Sequence, residues 1–318
     1  MPTGPKRLVF MGTPTYVIPV LEALISEASV EVVGVYTPPD RPKGRGRPIE
    51  MPAVKSFAVE RGLLVRQPAS LRTERAQEEM AELRPDVIVV AAYGKLLPSP
   101  VLNTPPHGCL NLHPSLLPRY RGPSPVATAI LDGKDTTGVT LMLLDEGMDT
   151  GPIISQREFP LSGRETADSL TSALFQLGAE VLLECLPSWV AGRSNTRSQD
   201  EARATVTRKL QRGDGAADWQ LPATVLERRW RAYTPWPGLF TIWEGKALKL
   251  LSVVTLPQAA DPPAEPGQVV ALSSRDATVA VATGEGLLGL KTVQLEGRRA
   301  QSAGDFQRGY PGFLGARL

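Results

Sequence analysis

Three observations predict the fold class of this 318-residue chain. Strand-length apolar runs alternate with helical segments through about residue 190. The run 86–93 is apolar along nearly its whole length. Beyond about residue 235 the pattern changes to short β-like runs separated by turn residues. Strand–helix alternation builds right-handed βαβ units around a parallel sheet. A continuous apolar run marks a strand covered on both faces, and a series of short strands closes most simply as a small barrel. The expected class is therefore α/β, a Rossmann-like mostly parallel sheet with helices on both faces, plus a smaller C-terminal β-barrel (OB-like) domain. The length also exceeds one typical core. The expected boundaries are 1–190, a linker over 191–205, and 206–318.

Each element follows in order. Residues 7–11 read as a first strand, which Gly12-Thr13-Pro14 turns into a helix over 16–26. That turn resembles the start of a phosphate loop, but it lacks any dinucleotide or Gly-Lys-Ser/Thr fingerprint and reads better as a plain connection. A second strand spans 30–36. The stretch 37–52 carries Arg41, Lys43, Arg45 and Arg47 against Asp40 and Glu50, with no apolar periodicity. It reads as an exposed loop, either simply solvated or a basic finger for a phosphate backbone. A helix at 52–61, a strand at 63–67 and a helix at 73–83 lead to the central strand at 86–93.

The next strand, 107–113, ends in Asn111 and His113 and opens into a Pro- and Gly-rich loop through Gly122. A helix at 125–131 follows. The strands 138–144 and 152–157 flank the turn Asp145–Gly151, so antiparallel pairing is open to them. A long amphipathic helix over 166–190 precedes the small, polar stretch 191–200, which fits a linker. After a helix at 221–232 come short strands at 240–243, 248–255, 267–272, 278–282 and 287–294.

Composition excludes several classes. A formal charge of +2 rules out a polybasic chain as a whole. The balance is uneven, however: 206–318 holds 14 Lys/Arg against 10 Asp/Glu, and the remainder is slightly acidic. In the second half Arg208, Lys209, Arg212, Arg228, Arg229 and Arg231 form either a basic face or scattered surface charge. Two cysteines, Cys109 and Cys185, sit in apolar runs and read as reduced core thiols, so no metal site is expected. No secretory h-region and no run of about 18 apolar residues is evident. A cytoplasmic location, no membrane partner and a monomeric state are the expectations.

The chemistry centres on Asn111 and His113. Residues i and i+2 of a strand face the same way, and strand ends in open α/β sheets are where such folds place ligands. An Asn amide can stabilise an oxyanion, and a histidine can move a proton near neutral pH. Asp149, between glycines in the 145–151 turn, is the candidate carboxylate partner. No Ser or Cys is placed as a covalent nucleophile, so direct attack by an acceptor on an acyl-type carbon is the simpler scheme. Taken singly, each of these residues also fits a structural role.

The segments Asn111-Leu-His113-Pro-Ser-Leu-Leu-Pro-Arg-Tyr-Arg-Gly-Pro-Ser-Pro125 and Leu144-Asp-Glu-Gly-Met-Asp149-Thr-Gly-Pro152 resemble the signature of the folate-dependent formyltransferases. The likeness extends to Phe10-Met-Gly-Thr-Pro14, Thr37-Pro-Pro-Asp-Arg-Pro42, Ala92-Tyr-Gly-Lys-Leu-Leu97 and Pro235-Trp-Pro237. The 37–42 motif and the second domain point to the tRNA-acting branch. Departures are small: Pro114 and Tyr120 stand where other residues are common in the family. The resemblance implies 10-formyltetrahydrofolate as donor, without a metal, and the α-amine of initiator methionyl-tRNA as acceptor, for translation initiation. It implies Asn111, His113 and Asp149 as catalytic residues, with Asn111 and His113 on the oxyanion. It further implies Ser115, Leu116, Leu117, Pro118, Asp145 and Gly147 at the folate, and Arg41, Lys43, Arg45, Arg47 and Lys209 at the tRNA. A formyltransferase acting on a nucleotide or sugar-nucleotide amine is the alternative. A nicotinamide-dependent oxidoreductase lacks its fingerprint here, and a non-catalytic RNA-binding protein leaves the Asn–His–Asp set unexplained.

Overall fold

The computed structural model describes residues 4–42, 49–257, 264–273 and 275–318. The chain divides into two compact units. The first comprises Met1–Pro125, Thr136–Pro160 and Thr171–Thr207; the second comprises Val126–Asp135, Leu161–Leu170 and Arg208–Leu318.

The first unit is built on β1 (Lys6–Gly12), α1 (Ile18–Ser26), β2 (Val30–Tyr36), α2 (Ala53–Glu60), β5 (Val65–Arg66), α3 (Glu74–Glu82), β6 (Val87–Ala91), α4 (Ser99–Leu102) and β7 (Cys109–His113). The short strands β3 (Arg41–Pro42) and β4 (Ile49–Glu50) pair with each other inside the stretch expected as a loop. That stretch thus has a hydrogen-bonded base, a correction to its reading as irregular. Backbone pairing needs no apolar side chains, so hydropathy could not reveal it. Lys43, Arg45 and Arg47 lie outside the described residues.

The strand order is β5-β2-β1-β6-β7-β8-β9, where β8 is Thr136–Leu143 and β9 is Ile153–Pro160. The first five are parallel; β8 runs antiparallel to β7 and β9 antiparallel to β8. The chain leaves β1 in one direction for β2 and returns to its other side for β6. This reversal opens a crevice at the carboxyl ends of β1, β6 and β7. Side chains of β1 alternate between two cores: Leu8 and Phe10 join Leu21, Phe175 and Leu186, while Val9 and Met11 join Met80, Tyr93 and Val101. Both faces are therefore covered, which keeps β7 rigid beneath its two polar residues.

Helix α6 (Ala167–Val190), which follows α5 (Pro125–Leu131), has the length and mean hydropathy, 1.3, of a membrane span. Glu180 and Glu184 interrupt its apolar run. Phe175, Leu182, Leu186 and Val190 of this helix pack in the core against Leu112 and Leu141, which accounts for its apolar character.

In the second unit α7 (Ala223–Tyr233) precedes β10 (Leu239–Trp243), β11 (Lys246–Leu256), β12 (Val269–Ala271), β13 (Val279–Ala282), β14 (Leu287–Leu295), β15 (Gln301–Ser302) and α8 (Ala303–Gly309). The sheet is antiparallel in the order β10-β11-β14-β13-β12, with β15 on β14. β10 and β12 end the path, so among the described residues the OB-like sheet is an open half-barrel. Trp243 anchors its core, with the rings of Phe306, Tyr310 and Phe313 each 5.4 Å away and edge-on.

Candidate active site

Asn111 and His113 emerge at the carboxyl end of β7, opposite Met142 and Thr140 of β8. Alternation puts both side chains on one face, about 7 Å apart along the strand. His113 is 5% exposed, and each ring nitrogen has a defined neighbour. Nε2 lies 2.9 Å from the Tyr120 carbonyl oxygen. A carbonyl only accepts, so Nε2 carries a proton and donates. Nδ1 then faces Asp149 Oδ2 at 3.6 Å. That same oxygen accepts the Gly122 amide at 2.7 Å. One proton placed between Nδ1 and Oδ2 converts the arrangement into an ion pair, so the pair can receive a proton from a reacting group. With Nε2–H tied to Tyr120, the donor left for an oxyanion in this geometry is the half-buried Asn111 amide.

The turn that delivers Asp149 is built by its own motif. The Asp145 carboxylate accepts the Gly147 amide at 3.1 Å and the Thr150 hydroxyl at 2.8 Å, closing the loop on itself. A Cβ on Gly147 would lie 2.0 Å from Thr150 Oγ1, and one on Gly151 would lie 1.9 Å from the Leu143 carbonyl oxygen. At 151, where the obstacle is backbone, only glycine fits, whereas at 147 the Thr150 side chain would have to turn away. Asp149 has φ +55°, a left-handed conformation uncommon for a residue with a side chain.

The loop after β7 is fixed from inside. Ser115 Oγ donates to the Arg119 carbonyl, and Leu117 N–H donates to Thr140 Oγ1. Leu117 is buried with Met142 and Ile153. Leu116 packs where a Cβ on Gly138 would be. The Pro118 carbonyl accepts from Thr205 N–H. Ser115 and Leu117, expected at the folate, therefore face the interior and shape the loop. Tyr120, at φ +61°, aims its carbonyl at His113.

A cavity of about 630 Å³ adjoins the 143–146 end of the hairpin, lined in part by Leu102, Cys109, Leu144, Asp145, Glu146 and Trp189. Asn111, His113 and Asp149 do not line it. Cys109, at the start of β7, is buried in its wall. Burial pushes the Cys109 thiol up to about 12, so it is a neutral wall. No group of three or more His, Cys, Asp or Glu side chains suited to a metal occurs among the described residues.

Of the cationic candidates, Arg41 is exposed at the base of the β3–β4 pair. The residue before it, Asp40, is anchored by Lys55 Nζ at 2.6 Å and Gln67 Nε2 at 2.8 Å. In the second unit Lys209 and Arg212 are exposed. Arg208 is held by Asp214 at 2.7 Å, Arg231 by Glu227 at 2.8 Å, and Arg228 by the Leu131 carbonyl at 3.4 Å. These three belong to the unit's own framework.

The stretch expected as linker, 191–205, runs along the first unit. Arg197 exchanges backbone hydrogen bonds with Ile153 at 2.8 Å, and Thr205 and Thr207 bond the loop at Pro118 and Arg121. Gln199 and Arg121 had no signal in the sequence that set them apart from ordinary polar residues, yet they hydrogen-bond each other, and Gln199 also bonds the carbonyls of Asp149 and Gly151.

Comparison with known proteins matches residues 6–186 to the formyl transferase model and 209–311 to the model of the formyl transferase C-terminal domain. A protein named methionyl-tRNA formyltransferase from Roseiflexus sp. (strain RS-1) is 49% identical over 99% of this chain and 95% of its own length. One of the same name from Methylococcus capsulatus is 44% identical over 94% of this chain and 96% of its own. Among solved structures, HypX from Aquifex aeolicus in complex with tetrahydrofolic acid has TM-score 0.65 at 19% identity, covering 97% of this chain and 48% of that one. WlaRD, a sugar 3N-formyl transferase, has TM-score 0.62 at 16% identity, covering 93% and 99%. These two carry the fold alone.

Proposed function

The chain belongs to the formyl transferase family, and we propose that it moves a formyl group from 10-formyltetrahydrofolate to the free α-amine of initiator methionyl-tRNA, giving N-formylmethionyl-tRNA for translation initiation. The observation that carries this reading is the His113–Asp149 pair beside Asn111, on a chain related over nearly its whole length to enzymes of that name. The relatives' name, methionyl-tRNA formyltransferase, names a tRNA acceptor and favours a cytoplasmic enzyme. A monomer is the proposed state.

The steps follow from the chemistry. The amine nitrogen attacks the formyl carbon, and the carbonyl π pair moves onto oxygen. The Asn111 amide donates to that oxyanion. The proton lost by the attacking nitrogen passes to the Nδ1–Oδ2 pair, directly or through water. It then passes to the folate nitrogen as the old C–N bond breaks and the carbonyl re-forms. Tetrahydrofolate and a formamide result, and no covalent enzyme intermediate is needed.

The folate ring is proposed to lie along the 144–151 hairpin, with Asp145 and Gly147 at its border. Ser115, Leu116, Leu117 and Pro118 support that site by holding the loop. Arg41, Lys43, Arg45 and Arg47 of the 37–52 arm, with Lys209, are proposed to contact tRNA phosphates. The reading is tested by transfer from labelled formyltetrahydrofolate, with Met-tRNA, free methionine and an amino-sugar nucleotide in parallel. Labelling of Met-tRNA alone is expected; labelling of the sugar nucleotide instead would favour the alternative acceptor.

A further inference from the structure

Arg121 is 4% exposed, and a buried guanidinium persists only where its donors are satisfied. Nε and Nη2 donate to Gln199 Oε1 at 3.0 and 2.9 Å. Nη1 and Nη2 donate to the two Glu201 carboxylate oxygens at 2.9 and 2.6 Å. Because arginine is donor-only, the Gln199 amide has one possible orientation: its oxygen faces Arg121 and its NH2 faces away. That NH2 donates to the carbonyls of Asp149 at 2.8 Å and Gly151 at 2.7 Å. All the hydrogen-bonding capacity of the side chain is thereby used.

The two ends of this tie matter. Arg121 stands between Tyr120, whose carbonyl holds His113 Nε2, and Gly122, whose amide holds Asp149 Oδ2. The two carbonyls belong to the left-handed Asp149 and to Gly151, two residues on. One side chain thus joins the segment that orients the histidine to the segment that delivers the carboxylate. Gln199 lies in no helix or strand and belongs to none of the apolar cores. Its described contacts are those of a brace rather than of core packing.

We propose that Gln199, held in register by Arg121 and Glu201, is a positioning residue that sets the separation between His113 and Asp149. The inference rests on the reading that this pair handles the proton during formyl transfer. Gln199→Glu provides the discriminating substitution: it keeps the size and the Arg121 contact but cannot donate to either carbonyl. The expected result is a kcat lower by about 10- to 100-fold, as for a displacement of up to 1 Å in a catalytic group. KM for both substrates should stay within about 2-fold, because no substrate contact is removed. In an Asp149→Asn background the same substitution should cost nothing more, since Gln199 acts through Asp149. Gln199→Met, which keeps volume without hydrogen bonds, serves if the glutamate variant fails to fold. Wild-type kcat in a folded Gln199 variant, or losses that multiply in the double variant, overturns the proposal. Near-normal activity of Asp149→Asn alone overturns the catalytic reading instead.

Discussion

Asn111 carries a half-buried amide on the same face of β7 as His113, whose Nε2 is bound to Tyr120. Asn111→Ala should lower kcat by ~10²–10³, the usual cost of one oxyanion donor, with KM for tRNA little changed. Steady-state formylation kinetics read this directly. Cys109 makes a contrasting prediction. Its thiol, pushed up to about 12 by burial, is almost wholly protonated at pH 8. Iodoacetamide at that pH should leave Cys109 unmodified in the native protein and modify it after denaturation, as read by peptide mass spectrometry. At this scale the sequence marked Asn111, His113 and Asp149 as candidates by residue type, and the fold brings His113 and Asp149 to 3.6 Å. It was uninformative where a polar side chain works through backbone groups brought close only by folding, as at Gln199.

Among the elements, the 144–151 hairpin is the least tolerant. Gly151→Ala sets a Cβ 1.9 Å from the Leu143 carbonyl oxygen, and backbone cannot yield as a side chain can. The cost is about 1–3 kcal/mol, the range for overpacking. Both thermal midpoint and kcat should fall, because the displaced backbone carries Asp149. The β3–β4 arm makes a different demand. Arg41→Ala should raise KM for tRNA and make the dependence of binding on salt shallower by about one charge, with kcat retained. Filter-binding titrations across salt concentrations check it, and an unchanged slope would remove Arg41 from the interface. Strand and helix periods made most of the first unit legible, including β2 at its observed bounds. The arm's pairing, the four-residue α4 and the terminal α8 were not legible, since short elements leave no period to detect.

Over the whole molecule, charge pairs tie loops far apart in sequence or at the start of a unit. The Arg208 guanidinium, with help from the Gln211 amide, holds the Asp214 carboxyl below its ordinary range. Hydrogen bonds from Arg121 do the same for Glu201. A carboxylate depressed on folding contributes fully above its unfolded value, about 4, and loses that contribution as pH falls further. Asp214→Asn should therefore lower stability at pH 7 yet flatten its decline below about pH 4. Circular dichroism melts across that range measure both. The presence of two units was legible from the end of strand–helix alternation before residue 235 and from the chain length. The placement of 191–207 was not: its polar composition is what a free linker also shows, and only its hydrogen bonds to Ile153, Pro118 and Arg121 distinguish it.

That stretch has a bearing on protein engineering. A chimera that exchanges the C-terminal part of the chain invites a splice at the composition change near residue 191, and such a splice would import a foreign residue at position 199 beside Asp149. Joining the parents after Thr207 keeps Gln199, Glu201 and Thr205 with the loops they evolved to fit. Recombinants cut at the later point should retain turnover on minimal acceptors, whereas those cut at the earlier point should need their brace restored first.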